Sequence, residues 1–450
     1  MKCRVVNSHN VLKEQRFDGS YHNAEVNVYD DVITSHSEHN LSYYCSEIFT
    51  SGRNRRVYTK PEFGYPFLSN SDAASLNPLA TCKFSSKKYG YDETAVLKGG
   101  MILTGRVGAI GQTTFVPKYW ERYKMMGSDN IIRIVVNPRY KNGFIYAYLA
   151  SKVGNLSFWK HATGGVQPFI TDDMVASLPI PHFPASFQKE VDYLMQESAR
   201  LREEAMDLFY ESKDTIEALF PSFSNYSFSK RVSSKEVINS FNKRFDANYY
   251  SAEGSYIETY IKENFSWKSL GDVCESISRP DIFKRYYVKN GVEFLGGADI
   301  FLFKPDSEKK LSVSKTVNLE NMLIKEGTIL LPRSGTIGQV ALAHAEHAQK
   351  LASEHVIRLV PNNILRAGYV YAFLASSLGE KLIQKFIFGS VIQHVEPPHL
   401  KQIPIPVIDE EAMESIHNKV MTYSTKISLA VKKEKQAISM IEQEIEKWNK

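Results

Sequence analysis

One pattern in the sequence is typical of a metal-dependent nuclease site. Pro280-Asp281 is followed at a plausible spacing by Glu308-Lys309-Lys310, and such a site needs carboxylates to hold Mg²⁺ and a lysine to polarise the attacking water. In a chain with 23% charged residues, however, pairs of this kind often arise by accident. Glu308-Lys309-Lys310 also lies in a polar stretch that we expect to be a surface loop and not a sheet strand. The pattern therefore gives little support for a nuclease.

A second pattern, Asn137-Pro138-Arg139-Tyr140, is similar to the NPPY loop with which amino-methyltransferases hold an adenine or cytosine amino group. Arg139 stands where that loop has its second proline, and the corresponding region of the second half is Val360-Pro361-Asn362-Asn363. No glycine-rich cofactor loop precedes it, so we predict a turn after a strand. The twelve histidines show no H-E-x-x-H spacing. We predict no catalytic, metal or cofactor site in this chain.

A third pattern is a pair of glycine turns, Gly108-Ala109-Ile110-Gly111 and Gly335-Thr336-Ile337-Gly338. The backbone N–H groups of such a turn can hold a phosphate, but the Lys-Ser/Thr of a nucleotide-binding loop does not follow here. Two interpretations stay open. One is a tight hairpin turn that needs positive φ, and the other is a contact with a DNA backbone.

Basic residues interleaved with aromatic residues form clusters in both halves of the chain. The basic members are Arg53, Arg55, Arg56, Lys60, Lys83, Lys87 and Lys88 in the first half, and Arg279, Lys284, Arg285 and Lys289 in the second. Lysine and arginine neutralise phosphates, and arginine also pairs with guanine edges. A charge run is usually only a solvated face, but one cluster in the variable part of each half favours DNA binding.

The elements that hold these residues occur twice, at a spacing of about 225 residues. Six blocks recur in the same order. The pairs are Arg16-Phe17-Asp18 with Arg244-Phe245-Asp246, Phe67-Leu68 with Phe294-Leu295, LTGRVGAIGQ (103–112) with LPRSGTIGQ (331–339), SDNIIR (128–133) with SEHVIR (353–358), GFIYAYLAS (143–151) with GYVYAFLAS (368–376), and LPIP (178–181) with IPIP (403–406). This order indicates duplication of a whole domain.

A long heptad pattern follows each half and predicts a helix. The first seam is Leu194, Ser198, Leu201, Ala205, Leu208, Ser212, Thr215 and Leu219, and we expect Pro221 to end that helix. The second seam is Ile416, Val420, Tyr423, Ile427, Ala430, Glu434, Ala437, Ile441, Glu444 and Trp448. Several seam positions are polar. We therefore expect the two helices to pack antiparallel on each other, and the competing interpretation is a dimerising coiled coil.

The bulk composition is that of a folded protein, with 43% hydrophobic and 12% aromatic residues among 450. The net charge of +5 is only mildly basic, so a nucleic-acid partner rests on the local clusters. Cys3, Cys45, Cys82 and Cys274 are far apart, which argues against a zinc ribbon or a disulfide framework. With no signal-peptide pattern and no long apolar run, we expect a cytoplasmic protein.

The β-branched runs Ile131–Val136 and Thr328–Pro332, punctuated by Gly and Pro, predict an α+β class with two β-rich domains in tandem repeat. Two long antiparallel coiled-coil helices should separate these domains. The predicted limits are 1–185 for the first domain, 186–230 for the first spacer helix, 231–408 for the second domain and 409–450 for the second spacer helix.

Together these blocks resemble the specificity (S) subunits of type I restriction-modification systems, over essentially the whole chain. The resemblance rests on the R-F-D-x-x-Y opening of each half, the L-x-x-R-x-G-x-I-G turn, the Y-A-Y/F-L-A-S helix, the I-P-I-P strand end and the long helices. In the first half we expect one extra residue around Gly105 to Gly111. The equivalence of Arg106 to Arg333, both added to the DNA-binding candidates, therefore stays open.

The resemblance implies two target recognition domains, each of which recognises one half of a bipartite site in double-stranded DNA. The variable inserts, about Asn23 to Lys98 and Gly271 to Asn321, would contact the bases, and the helices would set the gap between half-sites. Adenine methylation and cleavage would belong to two modification subunits and a restriction subunit. S-adenosylmethionine, Mg²⁺ and ATP are expected on those partners and no cofactor on this chain.

Two alternatives belong to other classes of protein. One is a self-contained methyltransferase or nuclease with its own duplicated recognition domains, which tight S-adenosylmethionine binding by the purified chain would support. The other is a scaffold that does not bind DNA and is held together by its coiled coil. A DNA shift assay separates this scaffold from the first interpretation.

Overall fold

A computed structural model describes residues 5–6, 8–14, 16–22, 25–53, 55–223, 231–251, 253–362 and 364–448. Cys3, Asn23 and Asn363, which the sequence analysis named, lie outside the described residues. The chain divides into two compact units. The first comprises Met1–Glu203 and Leu429–Lys450, and the second comprises Glu204–Ser428.

The central sheet of the first unit is antiparallel and has four strands. Their order is Cys45–Thr50, Ile131–Val136, Ile102–Gly105 and Thr113–Phe115. The predicted strand Ile131–Val136 is confirmed, and five of its six residues are buried. Burial on both faces explains why the sequence of this strand, apolar apart from Arg133, does not alternate between apolar and polar residues.

A second sheet of this unit, the outer sheet, contains Lys83, and the other basic residues of the first cluster lie in the segments next to its strands. Its strands lie in the order Tyr58–Thr59, Lys83–Ser86, Gly64–Leu68 and Met126–Gly127, and only the last pair is parallel. A small pair, His39–Asn40 with Pro179–Ile180, completes the strands of the described part of this unit.

The helices of the first unit pack mainly on its central sheet. The predicted helix over 143–151 is confirmed as Asn142–Ala150, followed by Lys152–His161. Ser151 joins the two, with its hydroxyl donating to Tyr148 O at 2.6 Å and accepting from Gly154 N. Gly154 is required there, because a Cβ would lie 2.2 Å from Tyr148 O. The shorter helices are Ser8–Glu14, Gly19–His22, Asp30–His36, Leu41–Tyr44, Asn70–Ala74, Tyr119–Arg122 and Asp172–Ala176, with 3-10 turns at Glu25–Val28, Pro61–Phe63, Pro78–Ala80 and Glu93–Ala95.

The second unit repeats all three sheets in the same order. Its central sheet is Cys274–Ser278, Val356–Pro361, Ile329–Pro332 and Ala341–Leu342, and its outer sheet is Tyr287–Val288, Lys310–Leu311, Val292–Leu295 and Leu351–Ala352. The small pair is Ser266–Ser269 with Pro404–Val407. Again one pair in the outer sheet is parallel, Val292–Leu295 with Leu351–Ala352. The predicted tandem repeat of an α+β domain is confirmed.

The helices of the second unit follow the same plan. Ala367–Ala375, predicted over 368–376, is followed by Ser377–Lys385, with Ser376 at the junction. The others are Ser234–Asn239, Ala247–Ser251, Glu253–Asn264, Leu319–Met322 and Pro397–Leu400, with 3-10 turns at Phe241–Lys243 and Asp299–Phe301.

The two predicted long helices are Ala185–Glu217 and Glu410–Trp448. In the second unit, Lys426 Nζ lies 2.6 Å from Glu204 Oε2 and Lys419 Nζ lies 3.1 Å from Glu211 Oε2. The position increases along one helix while it decreases along the other, so the helices run antiparallel there, as predicted. No described helix is long and apolar enough to cross a membrane.

The seam of the first long helix differs from the prediction in its last turns. The predicted positions from Leu194 to Ala205 are buried as expected, but Thr215 is exposed. Leu219 lies outside the helix, which ends at Glu217, four positions before Pro221. Phe209 and Ile216 are buried instead. The reason is that Phe209 packs against Tyr371 as well as Tyr423, at ring distances of 6.0 and 5.4 Å, so the helix faces the globular part of its unit too.

The seam of the second long helix is close to the prediction. The predicted positions from Ile416 to Ile441 are buried, but Ile445 is buried where Glu444 was predicted. The polar seam residues make hydrogen bonds within the first unit. Ser198 Oγ donates to Ala430 O at 2.8 Å, and Glu434 Oε1 accepts from Tyr146 Oη at 2.7 Å. The polar positions thus have hydrogen-bond partners in a buried setting.

Candidate nucleic-acid interface

The glycine turn lies at the same place in both units, and the expected extra residue is not there. Leu103–Gly111 and Leu330–Gly338 have equal length, and the strand pairing matches Gly105 opposite Ile131 with Pro332 opposite Val356. Arg106 N donates to Asn130 O at 2.8 Å, and Arg333 N donates to His355 O at 2.7 Å. Arg106 and Arg333 are therefore equivalent. The extra residue was expected because Leu103 was matched with Leu331, whereas its equivalent is Leu330.

The turns are hairpin turns that need positive φ, as one of the two interpretations held. Gly108 and Gly335 have φ of 80° and 83°, and Gly111 and Gly338 have φ of 73° and 111°. Each turn joins two antiparallel strands of the central sheet. This conformation favours glycine. A DNA contact at the turns stays a prediction.

A groove of about 560 Å³ lies beside the turn in the first unit. Its lining combines the turn with the outer sheet and includes Arg56, Tyr58, Asn70, Lys83, Gln112 and Asn130. Two of these six are predicted DNA-binding residues. The others offer amide and hydroxyl groups, which can donate to and accept from base edges.

Four lysines of the basic clusters lie over aromatic rings. Lys83 Nζ is 4.8 Å from the Tyr58 ring centroid, Lys87 Nζ 5.5 Å from that of Tyr65 and Lys88 Nζ 4.9 Å from that of Tyr89. Lys284 Nζ lies 5.2 Å from the Tyr286 ring centroid in the second unit. The interleaved sequence thus produces cation–π pairs that hold exposed ammonium groups near the surface. Arg55, Lys60 and Lys289 are exposed as well.

Arg56 and Arg285 occupy equivalent positions, each two residues before the first tyrosine of the outer sheet. Arg56 Nη2 donates to Asp129 Oδ1, and Arg285 Nη2 donates to Glu354 Oε1 at 2.6 Å. Arg53 Nε adds a 3.5 Å ion pair with Asp129 in the first unit. These arginines are therefore ion-paired in the folded chain, which their sequence neighbours did not predict.

Arg279 and Arg333 are brought together by Glu396. Their Nε atoms lie 2.9 and 2.7 Å from its two carboxylate oxygens. Burial raises the pKa of Glu396, but the hydrogen bonds from both arginines outweigh burial and hold the pKa below its ordinary value. In the first unit Thr171 stands where Glu396 stands, and the half-buried Arg106 side chain has no ion pair among the described residues. The two turns therefore differ in electrostatics.

A buried arginine in each central sheet was missed by the sequence analysis. Arg133 is fully buried, and its guanidinium donates to Ser128 O, Ile131 O, Ala95 O and Gly127 O. Arg358 donates to Met322 O and Ala352 O. Burial lowers the pKa of each to about 10. The signal was present in the matched blocks SDNIIR and SEHVIR, which also contain Asp129 and Glu354.

Two of the catalytic patterns are turn or surface features. Asn137 O accepts from Tyr140 N at 2.9 Å, which confirms a turn after the strand. The expectation that Glu308-Lys309-Lys310 is all loop was wrong, because Lys310 begins the strand Lys310–Leu311 and pairs with two neighbours. Glu308 and Lys309 are exposed outside it. Within the described ranges, no three His, Cys, Asp or Glu side chains are grouped to hold a metal ion.

Comparison with known proteins identifies the second half. Residues 262–439 match the family described as type I restriction modification DNA specificity domain. No curated protein matches the chain. Among solved structures, the type I restriction-modification S subunit from M. genitalium is similar at 13% identity, with a TM-score of 0.33, over 91% of this chain and 94% of that one. The HsdS subunit from Thermoanaerobacter tengcongensis is similar at 15% identity, with a TM-score of 0.28, over 90% and 95%.

Most of the second unit therefore matches a DNA specificity domain, and the first unit has the same three sheets in the same order and register. The family-model match over residues 262–439 agrees with the resemblance that the motifs indicated.

Proposed function

We propose that each unit recognises one half of a bipartite site in double-stranded DNA. The main support is that the two units share one fold but carry different polar residues at the equivalent position beside the glycine turn. The turn region pairs Arg279 and Arg333 with Glu396 in one unit but has Thr50, Arg106 and Thr171 in the other. Equal scaffolds with unequal polar groups fit two different target sequences.

The recognition domains we propose are residues 1–185 and 231–408, with spacer helices within 186–230 and 409–450. The helices set the gap between half-sites and are the docking surface for two modification subunits and a restriction subunit. Those partners bind S-adenosylmethionine, Mg²⁺ and ATP, and this chain directs the adenine methylation and cleavage that they carry out. The chain itself is not an enzyme, and it acts in the cytoplasm, where its DNA target lies.

The direct test is selection of bound duplexes from a random pool by the full chain. We expect a motif of two specified half-sites separated by a fixed number of unspecified base pairs. The same preparation, supplied with labelled S-adenosylmethionine and Mg²⁺, should neither methylate nor cut DNA. An uninterrupted motif would contradict the bipartite proposal, and turnover by the homogeneous chain would favour a self-contained enzyme.

We also expect Lys87 and Lys88 to contact phosphates. Both are exposed, and Lys87 Nζ is held by Glu62 O at 3.1 Å beside the outer sheet. Replacing both with alanine should weaken binding to all sequences alike and reduce the slope of log K against log salt by about 2, since each phosphate contact contributes about 0.9. Lys189→Ala, an exposed lysine on the long helix, is the control. A changed sequence preference would show that these lysines contact bases.

A further inference from the structure

Two equivalent groups of an arginine, a carboxylate and a phenylalanine occur in the two units. In the first unit the Arg56 guanidinium is bound by Asp129 and lies 5.9 Å from the Phe67 ring centroid. In the second, the Arg285 guanidinium is bound by Glu354 and lies 5.0 Å from the Phe294 ring centroid. Phe67 and Phe294 are themselves equivalent, since each is in the strand that pairs in parallel with the last strand of the outer sheet.

The carboxylates lie on the same turn in both units. Ser128 N donates to Leu68 O, and Ser353 N donates to Leu295 O, both at 2.9 Å. The turn then closes from Ile131 N to Ser128 O at 3.1 Å and from Val356 N to Ser353 O at 3.0 Å. Asp129 and Glu354 are therefore fixed to both sheets of their units. A guanidinium that binds such a carboxylate loses its choice of rotamers before any ligand arrives.

Exposure within each pair is unequal. The carboxylate side chains are 13% and 10% exposed, whereas Arg56 is 46% and Arg285 33% exposed. This differs from Arg133, which is fully buried and donates to four backbone carbonyls. A guanidinium has five N–H donors. Arg56 and Arg285 thus keep donors on their exposed side, and Arg56 lines the groove beside the glycine turn.

We propose that Asp129 and Glu354 are positioning residues that orient Arg56 and Arg285 toward a guanine edge, one in each half-site. This inference rests on the proposed function. A guanine offers O6 and N7 as adjacent acceptors that match the arginine fork. A phosphate is the less suitable ligand here, because a fixed carboxylate beside the arginine repels it. The ion pair with arginine also neutralises a nearly buried carboxylate at the surface that we propose faces DNA.

The test compares binding of the full chain to its selected duplex and to duplexes altered at one base pair. Asp129→Asn keeps the shape of the side chain and removes its charge. We expect it to reduce discrimination for guanine at one position of one half-site by about tenfold, the low end for a bidentate contact. Glu354→Gln should do the same in the other half-site only. The salt slope should not change, and Asp129→Glu should restore much of the discrimination.

Two controls make the result decisive. Glu190→Gln removes one exposed negative charge from the long helix and should leave all preferences unchanged. Arg56→Lys keeps the positive charge but lacks the two parallel N–H donors of the guanidinium. It should therefore lose discrimination for guanine at the same position as Asp129→Asn, and it tests the inference even if Asp129→Asn unfolds. Unchanged discrimination in folded Asp129→Asn and Arg56→Lys, or a uniform loss over all sequences, would overturn the inference. A wild-type chain without a split motif would instead contradict the proposed function.

Discussion

Replacing Arg133 with methionine is expected to destabilise the first unit by about 3 to 5 kcal/mol. Each buried carbonyl that loses its hydrogen bond from the guanidinium costs about 1 to 3 kcal/mol, and partial relaxation of the surrounding structure keeps the total below the sum. The guanidinium joins Ile131 and Ser128 of one segment, at 2.7 and 3.3 Å, to Ala95 at 3.3 Å and to Gly127. Since Gly127 is in the outer sheet and Ile131 in the central sheet, the variant should separate the two sheets.

The equivalent Arg358→Met in the second unit should cost less, about 2 to 3 kcal/mol, because two backbone acceptors are bound there. Denaturant unfolding of each variant, together with duplex selection, measures both effects. Arg133→Met should lose one half-site and keep the other. Arg139→Met, in an exposed turn, is the matched control. Equal stability of Arg133→Met and wild type would show that the apolar replacement compensates for the lost bonds.

The duplication and its main elements could be predicted from the sequence because they depend on local patterns. Strand Ile131–Val136 and helix Asn142–Ala150 are strongly apolar, and the long helices have a sustained heptad pattern. Arg133 could not be recognised as buried, because nothing in an apolar strand sequence shows which carbonyls surround an arginine. Its acceptors include Ala95, 38 positions away.

The ion pairs of the candidate interface were unpredictable for the same reason. Glu396 is 117 positions from Arg279 and 63 from Arg333, and Asp129 is 73 from Arg56. The basic clusters therefore indicated where charged residues lie but not their ion-pair partners. The shift of the first seam after Ala205 depended on Tyr371, which belongs to another helix of the same unit. The heptad spacing predicts only the residues through which the two long helices contact each other, and not their contacts with other helices.

Insertion of one heptad into both long helices is expected to lengthen the gap between half-sites by about three base pairs. Seven residues add about 10 Å of rise, and a base pair spans about 3.4 Å. The structure determines where the insertions must be. Because Glu204 pairs with Lys426 and Glu211 with Lys419, a heptad after Ala205 needs its counterpart after Ser424.

A heptad in the first helix alone is the matched contrast. It would displace Glu204 from Lys426 by about 10 Å along the helix axis if Glu211 keeps its ion pair with Lys419. The two helices would then lose their register on one side of the insertion. We expect weak DNA binding and no new defined gap from this single insertion. Both variants can be measured by duplex selection with the purified chain and by the methylated motif in cells that carry the modification subunits.

The paired insertion also rotates one half-site relative to the other. Three base pairs correspond to about a third of a turn of B-DNA, whereas a heptad turns the ideal helix by only about 20° from its starting face. The two rotations do not match, so the double insertion should bind its best duplex more weakly than wild type while still preferring the longer gap. An unchanged gap with full affinity would show that the long helices do not set the spacing, and that some other connection between the recognition domains does.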